Sequence, residues 1–277
     1  MPAATVRPGL SVVIAGFAAV VGLGLVLGAQ STGPGNRLGL TLAVLVVQLL
    51  FLLAWTMAMR PPAVALVASV AAVAAVGADY AAVKPQIAAL APLGYIAVGG
   101  LGVGVLGQLV RAADRRRVTE SLGATLLLIV GVVAFATLIV LSRVPLGTQA
   151  IFVCLAATGV ALVVARLADA FFAKPRLTPQ VPRGATGVVA GAMLGTLAAG
   201  VIGSFVYGFS PTSAAIVGLV AAVAAVLADL ASDYAEAGRQ MAGDPPTMWV
   251  ARHMQGPLGG FALASPAAYA MTVLFLG

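Results

Sequence analysis

The sequence predicts an all-α, polytopic integral membrane protein in which about nine transmembrane helices form one bundle. Three observations carry that expectation. Hydrophobic residues make up 61% of the 277-residue chain and charged residues only 8%, with a mean hydropathy of +1.10; ordinary soluble domains are about 25% charged, and so few polar groups cannot cover a soluble globule of this size. Charges and turn residues divide the chain into nine apolar runs, each approaching the roughly 20 residues that a span requires. In hydrocarbon the backbone must satisfy its own polar groups, and a helix does so within one segment.

The first run, Leu10 to Gln30, has no short apolar core followed by a clear small-residue cleavage site. It is expected to be a retained helix and not a signal peptide, so that the mature chain begins near Met1. The second, 38–59, lies between Arg37 and Arg60, and the third, 63–78, between a Pro-Pro pair and Asp79. The fourth, 87–110, carries "GYIAVGGLGVGVLG" and stops at Arg111; the fifth, 122–142, stops at Arg143; the sixth, 150–165, stops at Arg166. The seventh, 184–209, carries "GVVAGAMLGTLAAG", the eighth, 213–228, stops at Asp229, and the ninth covers 261–276. Four of these runs have only 16 residues. They are expected to be completed by neighbouring loop residues, or to be tilted or broken helices. The Gly-x-x-x-Gly-like spacings allow close helix approach, within one bundle or at a dimer face.

A cytoplasmic N-terminus leaves only Arg37, Lys84 and Arg143 outside, and puts the other twelve of the fifteen basic residues inside. This is the asymmetry of the positive-inside rule, and it calls for an odd number of spans with the C-terminus outside. Such a chain belongs in the inner (plasma) membrane. The long loops, 111–121, 166–183 and 229–260, are then all cytoplasmic, and function is expected at that face.

Four of the eight acidic residues, Asp229, Asp233, Glu236 and Asp244, fall within "LADLASDYAEAGRQMAGD". Spacings of four and three place the first three on one face of a continuing helix. There Asp229 and Asp233 are candidate ligands for magnesium, which favours carboxylates, water and substrate phosphates; otherwise the acids are solvated loop charges with Arg239 as a partner. The loop "RLADAFFAKPRLTPQVPR" brings Lys174, Arg176 and Arg183 to the start of a Gly-rich helix. This suits a lipid or nucleotide phosphate, or serves topology alone. "RAADRRR" poses the same choice with little but charge. His253, the single histidine, stands just before the last run, and Cys154, the single cysteine, sits within an apolar run as a small hydrophobe. No Walker loop, dinucleotide fingerprint or His-Glu-x-x-His motif is present, and nothing calls for a nucleic-acid partner.

In order and spacing these stretches resemble one family, the CDP-diacylglycerol synthases (phosphatidate cytidylyltransferases). "VTESLGATLLLIVGVVAFATLIVL" is similar to the segment following the family's Arg-x-x-L-type stretch. "FFAKPRLTPQVPRGATGVVAGAMLG" is similar to its Phe-Gly-Lys and Ser-Pro-Lys-Lys-Thr-x-Glu-Gly loop. "LADLASDYAEAGRQMAGD" resembles its Gly-Asp-Leu-x-Glu-Ser-x-x-Lys-Arg stretch, and "RHMQGPLGGFALASPAAYAM" its closing His-Gly-Gly-x-x-Asp-Arg-x-Asp motif. The resemblance implies many spans, a cytoplasm-facing site and transfer of a cytidylyl group from CTP to phosphatidate, with aspartates holding metal ions and loop cations holding phosphates. Asp229 matches the Asp of Gly-Asp-Leu, Lys174 the loop lysine, Pro179 and Pro182 the loop prolines, Arg183 a later loop lysine, and His253 roughly the motif histidine. The two closing aspartates fall on or near Gly256 and Gly259, the Lys-Arg pair on Glu236 and Ala237, and the aspartate of the sixth helix near Leu162.

Glycine offers a metal no side chain. The expectation is therefore a non-catalytic or repurposed relative that binds anionic, phosphatidate-like lipids through Lys174, Arg176, Arg183 and His253, or supports envelope lipid biogenesis as a homodimer or with a membrane-protein partner. Two alternatives stand beside it: an active cytidylyltransferase with a displaced magnesium site, and a small-solute transporter lined by Gly-interrupted helices.

Overall fold

The computed structural model describes residues 7–33, 36–85, 87–110, 117–172, 174–245 and 247–276. Among them it is all-α, and nine helices are long and apolar enough to cross a membrane. These are α1 (Pro8–Gln30), α2 (Leu38–Met59), α3 (Val64–Val83), α4 (Ala91–Val110), α5 (Val118–Leu141), α6 (Gly147–Phe171), α7 (Ala185–Gly203), α8 (Pro211–Met241) and α9 (Trp249–Leu276). The protein is a multi-pass membrane bundle. With nine spans among the described residues, the start of α1 and the end of α9 lie on opposite sides, and the connections α2–α3, α4–α5, α6–α7 and α8–α9 share the side on which α1 starts.

The helices overrun the apolar runs where a charge had marked a boundary. The third and sixth runs become full spans of 20 and 25 residues. Asp79 lies inside α3, and Arg166 and Asp169 lie inside α6. The stretch 229–260 is not a loop: α8 continues through 31 residues to Met241, and α9 already begins at Trp249. Similarly, 166–171 is helix, and of the expected loop 111–121 the residues 118–121 belong to α5, while 111–116 lie outside the described residues. Thirty-one residues rise about 46 Å, against a hydrocarbon thickness of about 30 Å. The last turns of α8, from about Ala231 on, therefore reach beyond a slab of that thickness on the N-terminal side, with Asp229 at its edge and Asp233 just past it. Asp79, Arg166, Asp169, Asp229 and Asp233 each find a partner on a neighbouring element.

One core runs along the bundle, built from buried faces of α1, α2, α3, α5, α6, α8 and α9, to which α4 adds Leu93. α5 is its most enclosed member, with Leu128, Val132, Phe135 and Ile139 fully buried. Cys154 is a buried free thiol within it. α7 is held against α6 by small residues. A Cβ on Gly191 would lie 2.6 Å from the Ala161 carbonyl oxygen, and one on Gly195 would lie 2.7 Å from that of Ala157. Glycine is what allows the backbones this close, so this Gly-x-x-x-Gly stretch packs within the bundle.

Candidate functional site

The chemistry-bearing residues gather where α6 ends, α7 begins and α8 emerges. Arg183 immediately precedes Gly184, the N-cap of α7, and its side chain is fully buried. Its Nη1 donates to Asp229 Oδ2 at 2.6 Å and to Asp233 Oδ2 at 3.4 Å. Its Nε lies 2.7 Å from Asp169 Oδ2, near enough for an ion pair although that N–H is not aligned for a hydrogen bond. From α6, Arg166 pairs its Nη2 with Asp229 Oδ1, while its Nη1 lies 3.2 Å from Asp233 Oδ2. Two guanidiniums and three carboxylates thus form one network with one formal negative charge in excess, closed off from water except at its Asp233 edge.

Local structure fixes each member. Asp169 Oδ1 accepts the Gly184 N–H at 2.8 Å, so this carboxylate also caps the positive end of α7. Gly187, one turn into α7, makes room for it, since a Cβ there would lie 2.7 Å from Asp169 Cγ. Gly256 of α9 does the same for the other half, where a Cβ would come within 2.8 Å of Arg166 Nη2 and 3.0 Å of Ser232 Oγ and still closer to Asp229. Ser232 turns its hydroxyl back onto the Asp229 carbonyl. Charges this well buried persist only when paired.

The sequence candidates divide accordingly. Asp229 and Asp233 do come together, but among arginines, and both Asp229 oxygens are taken by guanidiniums. Among the described residues no three His, Cys, Asp or Glu side chains are grouped to hold a metal ion. Glu236, on the same face of α8, is occupied separately: Arg239 and Thr247 donate to its Oε2 and Gln240 to its Oε1, and Arg239 also donates to the Ala58 carbonyl of α2. Arg183 parts from its two expected companions, for Lys174 and Arg176 are exposed on the α6–α7 connection. His253 lies within α9, its Nδ1 against the Trp249 carbonyl and its ring near the Trp249 indole.

Arg166 and Asp169 are members that composition and motif reading passed over. The acid of α6 is Asp169, two turns nearer the N-terminal side than Leu162, which packs in the core. The available signal was the Arg-x-x-Asp spacing in "ARLADAF", which puts both side chains on one flank if the helix continues past Arg166.

The open edge of the network forms the floor of a cleft of about 300 Å³. Arg7, Ser11, Arg166, Asp233, Arg252 and His253 line it, with the Trp249 indole at one wall. Arg166 is committed to the aspartates, whereas Arg7 and Arg252 make no ion pair among the described residues. On a different face of α8 an apolar groove of about 850 Å³ runs between α2, α5, α8 and α9, with Ser232, Arg239 and Gln255 as its few polar groups. No known protein-family model and no curated protein sequence matches the chain.

Proposed function

We propose that this protein is a non-catalytic relative of the CDP-diacylglycerol synthases that binds a phosphate-bearing anionic lipid at a cytoplasm-facing cleft of the inner (plasma) membrane. The observation that carries the reading is the pairing of Asp229, the residue matching the family's metal-binding aspartate, with Arg166 and Arg183. Guanidiniums occupy the positions around that carboxylate where a divalent cation would have to bind, and they supply the neutralising charge themselves. Catalysis of nucleotidyl transfer depends on ions that bridge the reacting phosphates, and an arginine-saturated carboxylate does not offer that ligand. A displaced site built from Asp233, Glu236 and Asp244 is disfavoured on the same ground, because Asp233 faces Arg166 and Arg183 and Glu236 already accepts from Arg239, Gln240 and Thr247.

Binding is supported by the cleft above the network. Arg7 and Arg252, which make no ion pair among the described residues, bring two guanidiniums to one small polar cavity, and His253 and Ser11 add further polar groups. Planar guanidiniums suit phosphate oxygens bidentately. The cleft lies beside the part of α8 that runs past a roughly 30 Å slab, which suits a lipid headgroup, and the apolar groove on the other face of α8 suits acyl chains. The cytoplasmic orientation rests on the twelve-to-three distribution of basic residues.

The test supplies purified protein with CTP, magnesium and phosphatidate. The expected result is no CDP-diacylglycerol above background, from protein that retains phosphatidate through purification. Product formation that disappears in Asp229→Asn overturns the non-catalytic reading.

A further inference from the structure

A second polar site lies away from the cleft, at the centre of the bundle. Gln48 sits about 15 Å along α2 from its first residue, half of the roughly 30 Å apolar slab. Its side chain is fully buried, and that of Asp79 on α3 is only 4% exposed. Gln48 Nε2 donates to Asp79 Oδ1 at 2.9 Å and to the Val132 carbonyl of α5 at 2.9 Å. The carbonyl can only accept, so the amide nitrogen is fixed in place, and its two hydrogens are both used. The other oxygens of the same two groups, Gln48 Oε1 and Asp79 Oδ2, are buried without a hydrogen-bond donor.

Among the described residues no counter-charge compensates an ionised Asp79. α3 packs against α2, α4 and α5, and α2 has no ionisable residue between Leu38 and Met59. The one titratable group of α4, Tyr95, is exposed, and Glu120 of α5 is paired with Arg117 at the far end of that helix. On α3 itself Tyr80 is exposed and bonded to Lys84 beyond the helix end. Arg143, past the end of α5, gives its two Nη groups to the Ala82 and Pro85 carbonyls. Among the described residues Asp79 has no ion pair. An isolated carboxylate buried in a membrane-spanning bundle is costly, and a buried acceptor oxygen without a donor on each of the two groups is costly as well. A single proton on Oδ2 removes both penalties, because it neutralises the acid and gives Gln48 Oε1 a donor.

We propose that Asp79 is a carboxylic acid at neutral pH, closed into a cyclic acid–amide pair with Gln48, and that this pair is a proton-binding site in the middle of the membrane-spanning bundle. Its ligand is a proton, and it shares no residue with the phosphate cleft.

The test is an infrared difference spectrum of wild-type protein minus Asp79→Asn in detergent at neutral pH, together with thermal melting of both in sodium and in choline salts. The proposal expects the carbonyl band of a protonated carboxylic acid in wild type and its loss in the variant. Asp79→Asn should melt with wild type in either salt, since an asparagine amide reproduces the acid as both donor and acceptor, whereas Gln48→Leu should melt lower. A carboxylate band in the difference spectrum overturns the proposal. So does melting of wild type that rises with sodium but not with choline, which identifies the ligand as a metal cation held by an ionised Asp79.

Discussion

Removing Arg183 should destabilise the fold far more than removing any exposed loop cation. In Arg183→Met the buried side chain loses contacts at 2.6 Å to Asp229 and 2.7 Å to Asp169. Each such pair is worth about 4 kcal/mol at an effective dielectric of about 20, offset by the desolvation that the missing guanidinium no longer suffers. Stripping one partner from a buried pair costs about 3–5 kcal/mol net, which for a chain of this size corresponds to a drop in melting temperature of roughly 6–20 °C. The assay is thermal unfolding of detergent-solubilised variants with Lys174→Ala and Arg176→Ala as controls, both of which should stay within about 2 °C of wild type, since exposed substitutions change stability by about 0.5 kcal/mol or less. Adding Asp169→Asn to Arg183→Met should recover about 1 kcal/mol or more, because it relieves an uncompensated charge. If Arg183→Met melts like Arg176→Ala, Arg183 faces the cytoplasm as the loop pattern alone suggested, and the network is not what holds α6, α7 and α8 together.

Other consequences follow from the same geometry. Placing an aspartate at Gly256, where the proposed relationship to the cytidylyltransferases would put one, should confer no cytidylyl transfer and should lower yield and melting temperature, since a Cβ there meets Arg166, Asp229 and Ser232; activity in Gly256→Asp would count against the arginine-filled site. Gly259→Ala, whose Cβ would lie 3.8 Å from Trp55, should be neutral by the same assay. Gly187→Val should loosen α7 from α6 by more than about 2 kcal/mol, from overpacking against Asp169 and the Ala165 carbonyl, read as faster protease cleavage in the α6–α7 connection. Reporter fusions should place the α8–α9 connection in the cytoplasm and the C-terminal end of α9 outside, and the reverse result would exclude a cytoplasmic cleft.

Helix count and class were legible in the sequence because hydropathy integrates over some 20 residues, and single charges do not erase it. Helix ends were not. Reading a charge as a boundary stopped the sixth run before Arg166 and the eighth before Asp229, whereas both helices continue because the two residues neutralise each other across the α6–α8 contact. Pairing between residues 63 positions apart has no local signature. The clustering of Asp229, Asp233 and Glu236 on one face was visible in their spacing, but their partners were not, and so carboxylates suited to a metal turned out to be held by arginines. Lys174, Arg176 and Arg183 look alike in composition; only the position of Arg183 at the start of α7, over Asp169, turns it inward. Arg7 and Arg252, 245 positions apart in sequence, meet at one cleft because α1 and α9 pack together. Asp79 was hidden for a different reason: it marked the boundary of the third run, and its buried partner Gln48 was one amide in an otherwise apolar stretch.

The central claim is that Arg7 and Arg252 hold the phosphate of an anionic lipid above the arginine-filled aspartates. Native mass spectrometry of the purified protein titrated with phosphatidate and, in parallel, with phosphatidylcholine tests it most directly. Charge-assisted bonds to phosphate contribute about 1.5–3 kcal/mol each, so the account predicts that wild type prefers phosphatidate and that Arg7→Ala with Arg252→Ala weakens phosphatidate binding by at least about tenfold, while Lys174→Ala with Arg176→Ala leaves it unchanged. Equal binding of both lipids, or equal losses from the two double variants, would contradict the account.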